Sequence, residues 1–159
     1  MVNPLRKSLT PDEKHFLIHF LASFALMFLL IKILPLEPLN LLVAQAQEAI
    51  LSNVGLPVAR AGTLLTVGST VFQIVVDCSG LVMIILFLSL VYSTKTKTPV
   101  SRILLYSVFF FLFNLGRLAF TLAIGAIYGM QALDLLHPAL WVVDSGVVFA
   151  AWAREFGLF

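Results

Sequence analysis

The chain has 159 residues, of which 60% are hydrophobic and only 11% are charged, and its mean hydropathy is +1.04. Soluble domains carry far more charge, so this composition excludes an ordinary water-soluble fold and indicates an integral membrane protein. The net charge of +2 gives no reason to expect nucleic-acid binding, because the distribution of the basic residues is explained by membrane topology.

Long runs without Asp, Glu, Lys or Arg predict the membrane spans. The runs are Phe16–Ile31, Cys78–Thr94, Ile103–Gly116 continuing past Arg117 to Leu133, and Pro138–Ala153, which only Asp144 interrupts. We therefore expect an all-α membrane protein, a bundle of about four transmembrane helices. No internal repeat is visible, and residues 1–159 are expected to form a single membrane-embedded domain.

The basic residues predict the orientation, because short cytoplasmic segments collect Lys and Arg. They lie before the first span (Arg6, Lys7, Lys14), between the second and third (Lys95, Lys97, Arg102) and after the fourth (Arg154). All three places can be cytoplasmic only if both termini are inside. We expect a multi-pass protein of the plasma (inner) membrane. Lys32, at the outer end of the first span, is the exception and is expected to snorkel to the headgroups.

The outer segment after the first span predicts an amphipathic helix that begins near Pro38 and stops before Gly55. Apolar residues recur at helical spacing, and polar residues fill the other side. The apolar set is Leu39, Leu42, Val43, Ala46, Ile50 and Val54, and the polar set is Asn40, Gln45, Gln47, Glu48 and Asn53. We expect this helix to lie along the outer membrane surface.

The next segment, Gly62–Val76, changes to a β-prone composition of Thr, Val, Ile and Phe. Gly68-Ser69 lies between two short runs of this kind, which predicts a small outer β-hairpin with a two-residue turn. An apolar run such as Val71–Val76 could equally extend the following helix.

Cys78 is the only cysteine, so it can form neither an internal disulfide nor a cysteine-based metal cluster. It lies at the outer mouth of the second span, before a Ser79-Gly80 pair suited to opening a helix, and a helix N-terminus favours the thiolate. Asp77, if ionised, acts in the opposite direction. The alternative is that Cys78 is a small packing residue.

Arg117 lies inside a span, where a guanidinium costs a few kcal/mol even on lenient insertion scales. It belongs to a stripe of polar and small residues expected to face the bundle interior: Asn114, Arg117, Thr121, Gly125 and Tyr128. A structural ion pair with Asp144 would explain it, since both lie roughly 10 to 15 Å from the outer ends of their helices. Such a pair does not exclude a functional role, because Asp144 could hold the guanidinium in position for a substrate.

His137 directly precedes Pro138, a residue favoured at the first helical position, so it is expected at the outer start of the fourth span. That places it at about the level of Cys78. An interfacial histidine can also be a plain headgroup-level residue, and His15 and His19, at the cytoplasmic start of the first span, are interpreted in that way.

Together these residues resemble the exosortase/archaeosortase family: Cys78-Ser79-Gly80 opens a span, Asn114-Leu115-Gly116-Arg117 lies inside the next, and His137 opens the last. The resemblance covers roughly residues 71–153. It implies a short, single-domain membrane cysteine transpeptidase or protease with catalytic Cys78, Arg117 and His137. Ser79, Asn114 and Asp144 are expected to support the site or bind substrate, and no metal or cofactor is expected.

The family resemblance also implies the partners, which are exported surface proteins ending in a short sorting motif, a transmembrane helix and a basic cluster. Membrane lipid is the other expected partner. The three residues fit acyl transfer, with Cys78 as nucleophile, His137 as general base and acid, and Arg117 on the oxyanion. The competing hypothesis is a non-enzymatic subunit or small transporter in which Arg117 and Asp144 form a structural pair.

Overall fold

The computed structural model describes residues 10–94 and 97–157, most of which are helical. The elements in chain order are α1 Pro11–Ile33, α2 Glu37–Asn53, β1 Val58–Ala61, β2 Leu64–Val67, β3 Thr70–Gln73, α3 Leu81–Ser93, α4 Val100–Tyr128 and α5 Met130–Glu155. A 3-10 turn at Val76–Cys78 precedes α3. The first helix begins with a capping box, in which Thr10 accepts from the Glu13 amide and the Glu13 carboxylate accepts from the Thr10 amide.

Within the described ranges, three helices are long and apolar enough to cross a membrane, namely α1, α4 and α5. The predicted span Cys78–Thr94 forms the apolar helix α3, whose 13 residues reach about 20 Å, less than a bilayer core of about 30 Å. It is nevertheless the most buried helix of the bundle, packed between α1, α4 and α5. The all-α membrane fold is confirmed, and the second predicted span is shorter than expected.

Contacts at the helix ends establish the course of the bundle. At one end, Arg102 at the start of α4 pairs with Glu155 at the end of α5 at 2.7 Å, and Phe16 in α1 contacts Trp152 in α5 with ring centroids 5.9 Å apart. At the other end, Lys32 of α1 pairs with Asp77, just ahead of α3, at 2.5 Å. The four bundle helices therefore alternate in direction, and the start of α1, the start of α4 and the end of α5 share one end.

That common end is the arrangement that the topology prediction requires for Lys14, Lys97, Arg102 and Arg154. Arg6, Lys7 and Lys95 lie outside the described residues. Which side of the membrane this end faces stays a prediction.

The helices α4 and α5 continue past the level at which α1 ends, and α2 and the sheet cover this extension as a cap. The cap and α4 share one apolar cluster, which includes Val43, Leu51, Leu65, Phe72, Leu118 and Leu122. A second cluster, which includes Phe87 and Phe110, holds α3, α4 and α5 together near the opposite end.

The amphipathic helix is present as α2, but the predicted apolar face is rotated from the buried one. Val43, Ala44, Gln47 and Leu51 are its buried residues, while Leu42 is 52% exposed. Gln47 belongs to the predicted polar face, yet its side-chain amide donates to the Leu115 carbonyl of α4 at 2.9 Å. The helix therefore packs on protein along one side.

The predicted hairpin is present and belongs to a three-stranded antiparallel sheet in the order β1-β2-β3. Val67 pairs with Thr70, so Gly68-Ser69 forms the predicted two-residue turn. A second turn at Gly62-Thr63 joins β1 to β2. In both turns the glycine alone has a positive φ, as in type II′ turns. Sequence reasoning missed β1, because four residues of Val-Ala-Arg-Ala give little β signal.

Two helix boundaries differ from the expectation. The third predicted span ends at Tyr128 rather than Leu133, because Gly129 has a φ of +84° and breaks the helix. The fourth begins at Met130, so Pro138 lies inside α5 and His137 is not at a helix start. Proline lacks an N–H, so this turn of α5 loses one backbone hydrogen bond.

Candidate active site

The turn before α3, residues 76–80, carries Cys78 at the level where α1 ends. We call it the cysteine turn. The Cys78 amide donates to the Val75 carbonyl at 2.8 Å. Ser79 is fully buried, and its hydroxyl donates to the Val76 carbonyl at 2.6 Å and accepts from the Leu81 amide at 3.3 Å. The Ser79 hydroxyl is thus occupied in shaping the turn, and the support that it gives to Cys78 is through the backbone.

Gly80 allows this turn to lie against α4. Its φ is +80°, a left-handed conformation that side chains disfavour, and a Cβ at this position would lie 2.9 Å from the Asn114 Cβ. Only glycine satisfies both conditions. The Cys-Ser-Gly sequence is therefore a packing unit as well as a carrier of the thiol.

Asn114 joins the cysteine turn to the arginine. It is 1% exposed, and its amide nitrogen donates to the Cys78 carbonyl at 2.7 Å. Its amide oxygen accepts from Arg117 Nη2 at 3.0 Å. Of the predicted stripe, Asn114, Thr121, Gly125 and the side chain of Arg117 are buried, whereas Tyr128 is 69% exposed.

Arg117 and Asp144 lie within ion-pair distance, with Arg117 Nε 3.3 Å from Asp144 Oδ2. Their side chains are 8% and 12% exposed. The contact lacks hydrogen-bond geometry, and within the described part of the chain Arg117 Nε, Arg117 Nη1 and Asp144 Oδ1 have no hydrogen-bond partner. Buried polar groups are usually satisfied by protein or by water, so these atoms mark a place that suits a water molecule or a polar ligand.

A small cleft of about 50 Å³ lies beside this pair. Its polar lining is Asp77, Asn114, Arg117, Trp141, Asp144 and Ser145, and α3 supplies apolar residues such as Val82 and Met83. The Cys78 thiol is half-buried, does not line this cleft and packs against the cap cluster. Arg117 therefore lines the cleft and is linked to the cysteine turn through Asn114.

Burial raises the pKa of the Cys78 thiol above its usual value. A backbone hydrogen bond at Val75 and the Arg117 charge lower that pKa, whereas Asp77 raises it. The balance favours the neutral thiol in the chain alone. The expected lowering by the helix N-terminus does not dominate, because the thiol faces apolar residues.

Because α5 begins at Met130, seven residues before His137, His137 is neither at a helix start nor at the level of Cys78, contrary to the prediction. Asp144 is seven residues later, about 10 Å along the helix, and is at the level of Arg117. His137 Nε2 accepts a hydrogen bond from the Trp141 indole at 3.1 Å, and the His137 side chain is exposed. Among the described residues no contact joins His137 to Cys78. The structure thus brings together Cys78, Asn114, Arg117 and Asp144, with His137 on the same helix stripe as Trp141 and Asp144.

Two site neighbours escaped the sequence reasoning. Lys32 binds both Asp77 carboxylate oxygens, at 2.5 and 2.7 Å, rather than only the headgroups. The sequence feature that could have indicated this role is that Lys32 is a basic residue at the outer end of a predicted span. Trp141 is signalled by its spacing of four residues from His137. Among the described residues, no group of three His, Cys, Asp or Glu side chains is placed to bind a metal.

The fold and this site define a multispanning helical membrane protein with one cysteine held beside a buried arginine. The chain matches the family model described as transmembrane exosortase over residues 14–153, and it belongs to that family. At the family level this implies a membrane transpeptidase with a role like that of sortases. A search of curated proteins and a search of solved structures each returned no significant match.

Proposed function

We propose that this chain is a membrane-embedded cysteine transpeptidase or protease that cleaves C-terminal sorting signals of exported surface proteins. The supporting observation is the hydrogen-bonded link from the Cys78 carbonyl through Asn114 to Arg117, which retains unused guanidinium donors. A purely structural arginine in a buried site would be expected to use those donors. Free donors beside a nucleophile are what an oxyanion requires.

In the proposed reaction the Cys78 sulfur bonds to the scissile carbonyl carbon, and the thiol proton passes to His137. Arg117 stabilises the negative oxygen of the tetrahedral intermediate. The carbon–nitrogen bond then breaks, His137 returns the proton to the leaving amine, and an acyl thioester stays on Cys78. Water or an acceptor nucleophile releases the product and regenerates the thiol.

This role of His137 requires a conformational exchange. In the chain alone, its Nε2 is occupied by the Trp141 indole N–H. Catalytic contacts are often long or poorly aligned before substrate binds, and here the separation is larger, so a bound peptide would have to displace the Trp141 contact and shift His137 toward the thiol. The neutral Cys78 favoured by burial makes such a base necessary.

The proposed substrates carry a short motif, a transmembrane helix and a basic tail. The outer faces of α1, α4 and α5 expose large apolar residues such as Leu26, Leu112 and Val142, which could contact a substrate helix within the membrane. The acceptor would be water, a lipid or another surface nucleophile. The active site would open near the outer face, with both termini cytoplasmic.

The direct test is mass spectrometry of a candidate substrate with such a tail, co-expressed with the chain or with its Cys78→Ala variant. We expect a shortened substrate with the natural chain and none with the variant, at equal membrane abundance. An acyl adduct that hydroxylamine removes from the chain would identify the thioester on its one thiol. Continued shortening by a normally accumulated Cys78→Ala protein would contradict the proposal.

The competing function is a non-enzymatic membrane subunit or small transporter. Two observations favour it, namely the Arg117–Asp144 ion pair and the packing of the thiol against the apolar cap cluster. In that case the arginine is needed only for folding, and the cysteine acts as a small hydrophobic side chain.

A substitution series distinguishes the two functions. If the pair is only structural, Arg117→Ala and Asp144→Ala should each destabilise by about 3 to 5 kcal/mol, and the double variant should recover. If Arg117 is catalytic, Arg117→Lys should retain folded protein yet lose cleavage, because lysine lacks the planar fork. Both quantities are measured together, by thermal unfolding in detergent and substrate cleavage. A double variant that regains stability and cleavage would exclude a catalytic Arg117.

A further inference from the structure

A second cavity, an open groove, lies between α4 and α5 at the end of the bundle opposite to the cysteine turn. Its volume is about 820 Å³, within the range of small-molecule sites. Arg102, on its edge, is 15 residues before Arg117, about 22 Å along α4. The cavity is therefore separate from the candidate active site.

The lining changes from charged to apolar in the same direction along both helices. On α4, Arg102 and Tyr106 are followed by Phe109, and on α5, Arg154 and Glu155 are preceded by Val147. Each sequence of positions covers seven or eight residues, about 10 to 12 Å. The groove thus has a charged mouth at the helix ends and an apolar floor toward the membrane interior.

The mouth carries a net positive charge. Glu155 is almost fully occupied by Arg102, at 2.7 Å, and its side chain is 8% exposed. Arg102 remains 58% exposed with further donors, and Arg154 is exposed and forms no ion pair with any described residue. Arg102 and Arg154 therefore supply two guanidinium groups to one rim, and guanidinium groups bind phosphate through paired N–H donors.

We propose that this groove is a binding site for an anionic glycerophospholipid, with its phosphate between Arg102 and Arg154 and an acyl chain along Phe109 and Val147. The proposal is independent of the cysteine chemistry. Charge complementarity and the change from charged to apolar lining both favour an amphiphile, because basic pockets at helix ends recognise anionic headgroups. A transmembrane peptide would cover the apolar floor but would leave Arg154 without an anionic partner.

The test uses the full chain purified in detergent and native mass spectrometry with phosphatidylglycerol or phosphatidylcholine of identical acyl chains. We expect preferential retention of phosphatidylglycerol. Arg154→Gln breaks no ion pair and should lower that preference about fivefold, and Arg102→Gln with Arg154→Gln should abolish it. Ala150→Trp, which fills the floor without changing charge, should weaken retention of both lipids.

Lys97→Gln is the matched control, because Lys97 is exposed just before α4 and does not line the groove. It should leave the preference unchanged. Equal retention of the two lipids by the natural chain would overturn the proposal. So would an unchanged preference in the double variant, an equal loss in Lys97→Gln, or unaltered retention in Ala150→Trp. A dimer that Ala150→Trp dissociates, with no lipid preference, would instead assign the groove to a second copy.

Discussion

Cys78 is the only thiol in the chain, so its ionisation can be followed without a competing signal. Its pKa is raised mainly by burial, and the nearby charges of Arg117 and Asp77 act in opposite directions. The thiolate is the reactive form, so the alkylation rate below the pKa follows the thiolate fraction.

We therefore expect opposite effects from two neutral substitutions. Arg117→Gln removes a cation that lowers the pKa, so the thiolate fraction and the iodoacetamide rate should fall at pH 8. Asp77→Asn removes an anion that raises the pKa, so the rate at the same pH should rise. The measurement is the alkylation rate between pH 7 and 10, by intact mass. Equal rates in the two variants would show that neither charge influences the thiol, and thermal unfolding controls for lost structure.

At the scale of single elements, the polar residues that the structure brings together could be selected from the sequence, whereas their surroundings could not. Polar residues inside an apolar segment are costly and are usually paired or functional. For this reason Arg117, Asn114 and Asp144 could be selected from the sequence alone. Helix periodicity placed them on common faces, and the structure connects them. The offset of His137 was missed because Pro138 indicated a helix start, while the preceding turn of α5 packs Leu133 against the cap cluster. Packing of this kind has no local signal.

The cysteine turn offers an element-scale prediction. Gly80→Ala should destabilise the protein by about 1 to 2 kcal/mol from the left-handed backbone alone. The 2.9 Å approach to Asn114 adds a steric cost and should displace the amide from the Cys78 carbonyl, so under the proposed function cleavage should fall more than stability. Both are measured by thermal unfolding and substrate processing.

Gly116→Ala is the control for this change, because Gly116 lies in α4 with nothing within 4 Å of the Cβ that alanine would add. The same substitution there should be neutral or stabilise by up to about 1 kcal/mol, since alanine favours helix. If Gly80→Ala behaved like Gly116→Ala, the close packing of the turn on α4 would not be needed for the site.

For the whole molecule, the sequence predicted the class of fold better than it predicted which parts of each helix face lipid. Apolar runs located all four bundle helices, but hydropathy cannot distinguish a helix inside lipid from one covered by protein. The C-terminal part of α4 illustrates this, because Leu118 and Leu122 are buried under the cap rather than exposed to lipid. Arg117 accordingly lies at the level where α1 ends, and α4 continues beyond it. The apolar surroundings of the part of α4 beyond Arg117 come partly from α2 and the sheet.

The remaining prediction concerns the side of the membrane on which each end of the bundle lies. The alternating course of α1, α3, α4 and α5 places Lys14, Lys97, Arg102 and Arg154 at one end, and the positive-inside rule assigns that end to the cytoplasm. Reporter fusions after Tyr92, at the end of α3, should therefore report inside, and fusions after Tyr128, at the end of α4, should report outside.

Because α3 is short, the Tyr92 fusion is the one that tests whether α3 crosses the membrane. A fusion immediately after Lys32 should report outside and serves as the reference for the level of Cys78. If the Tyr92 fusion also reported outside, α3 would not cross the membrane, and the basic residues of the α3–α4 connection would lie on the same side as the cysteine turn.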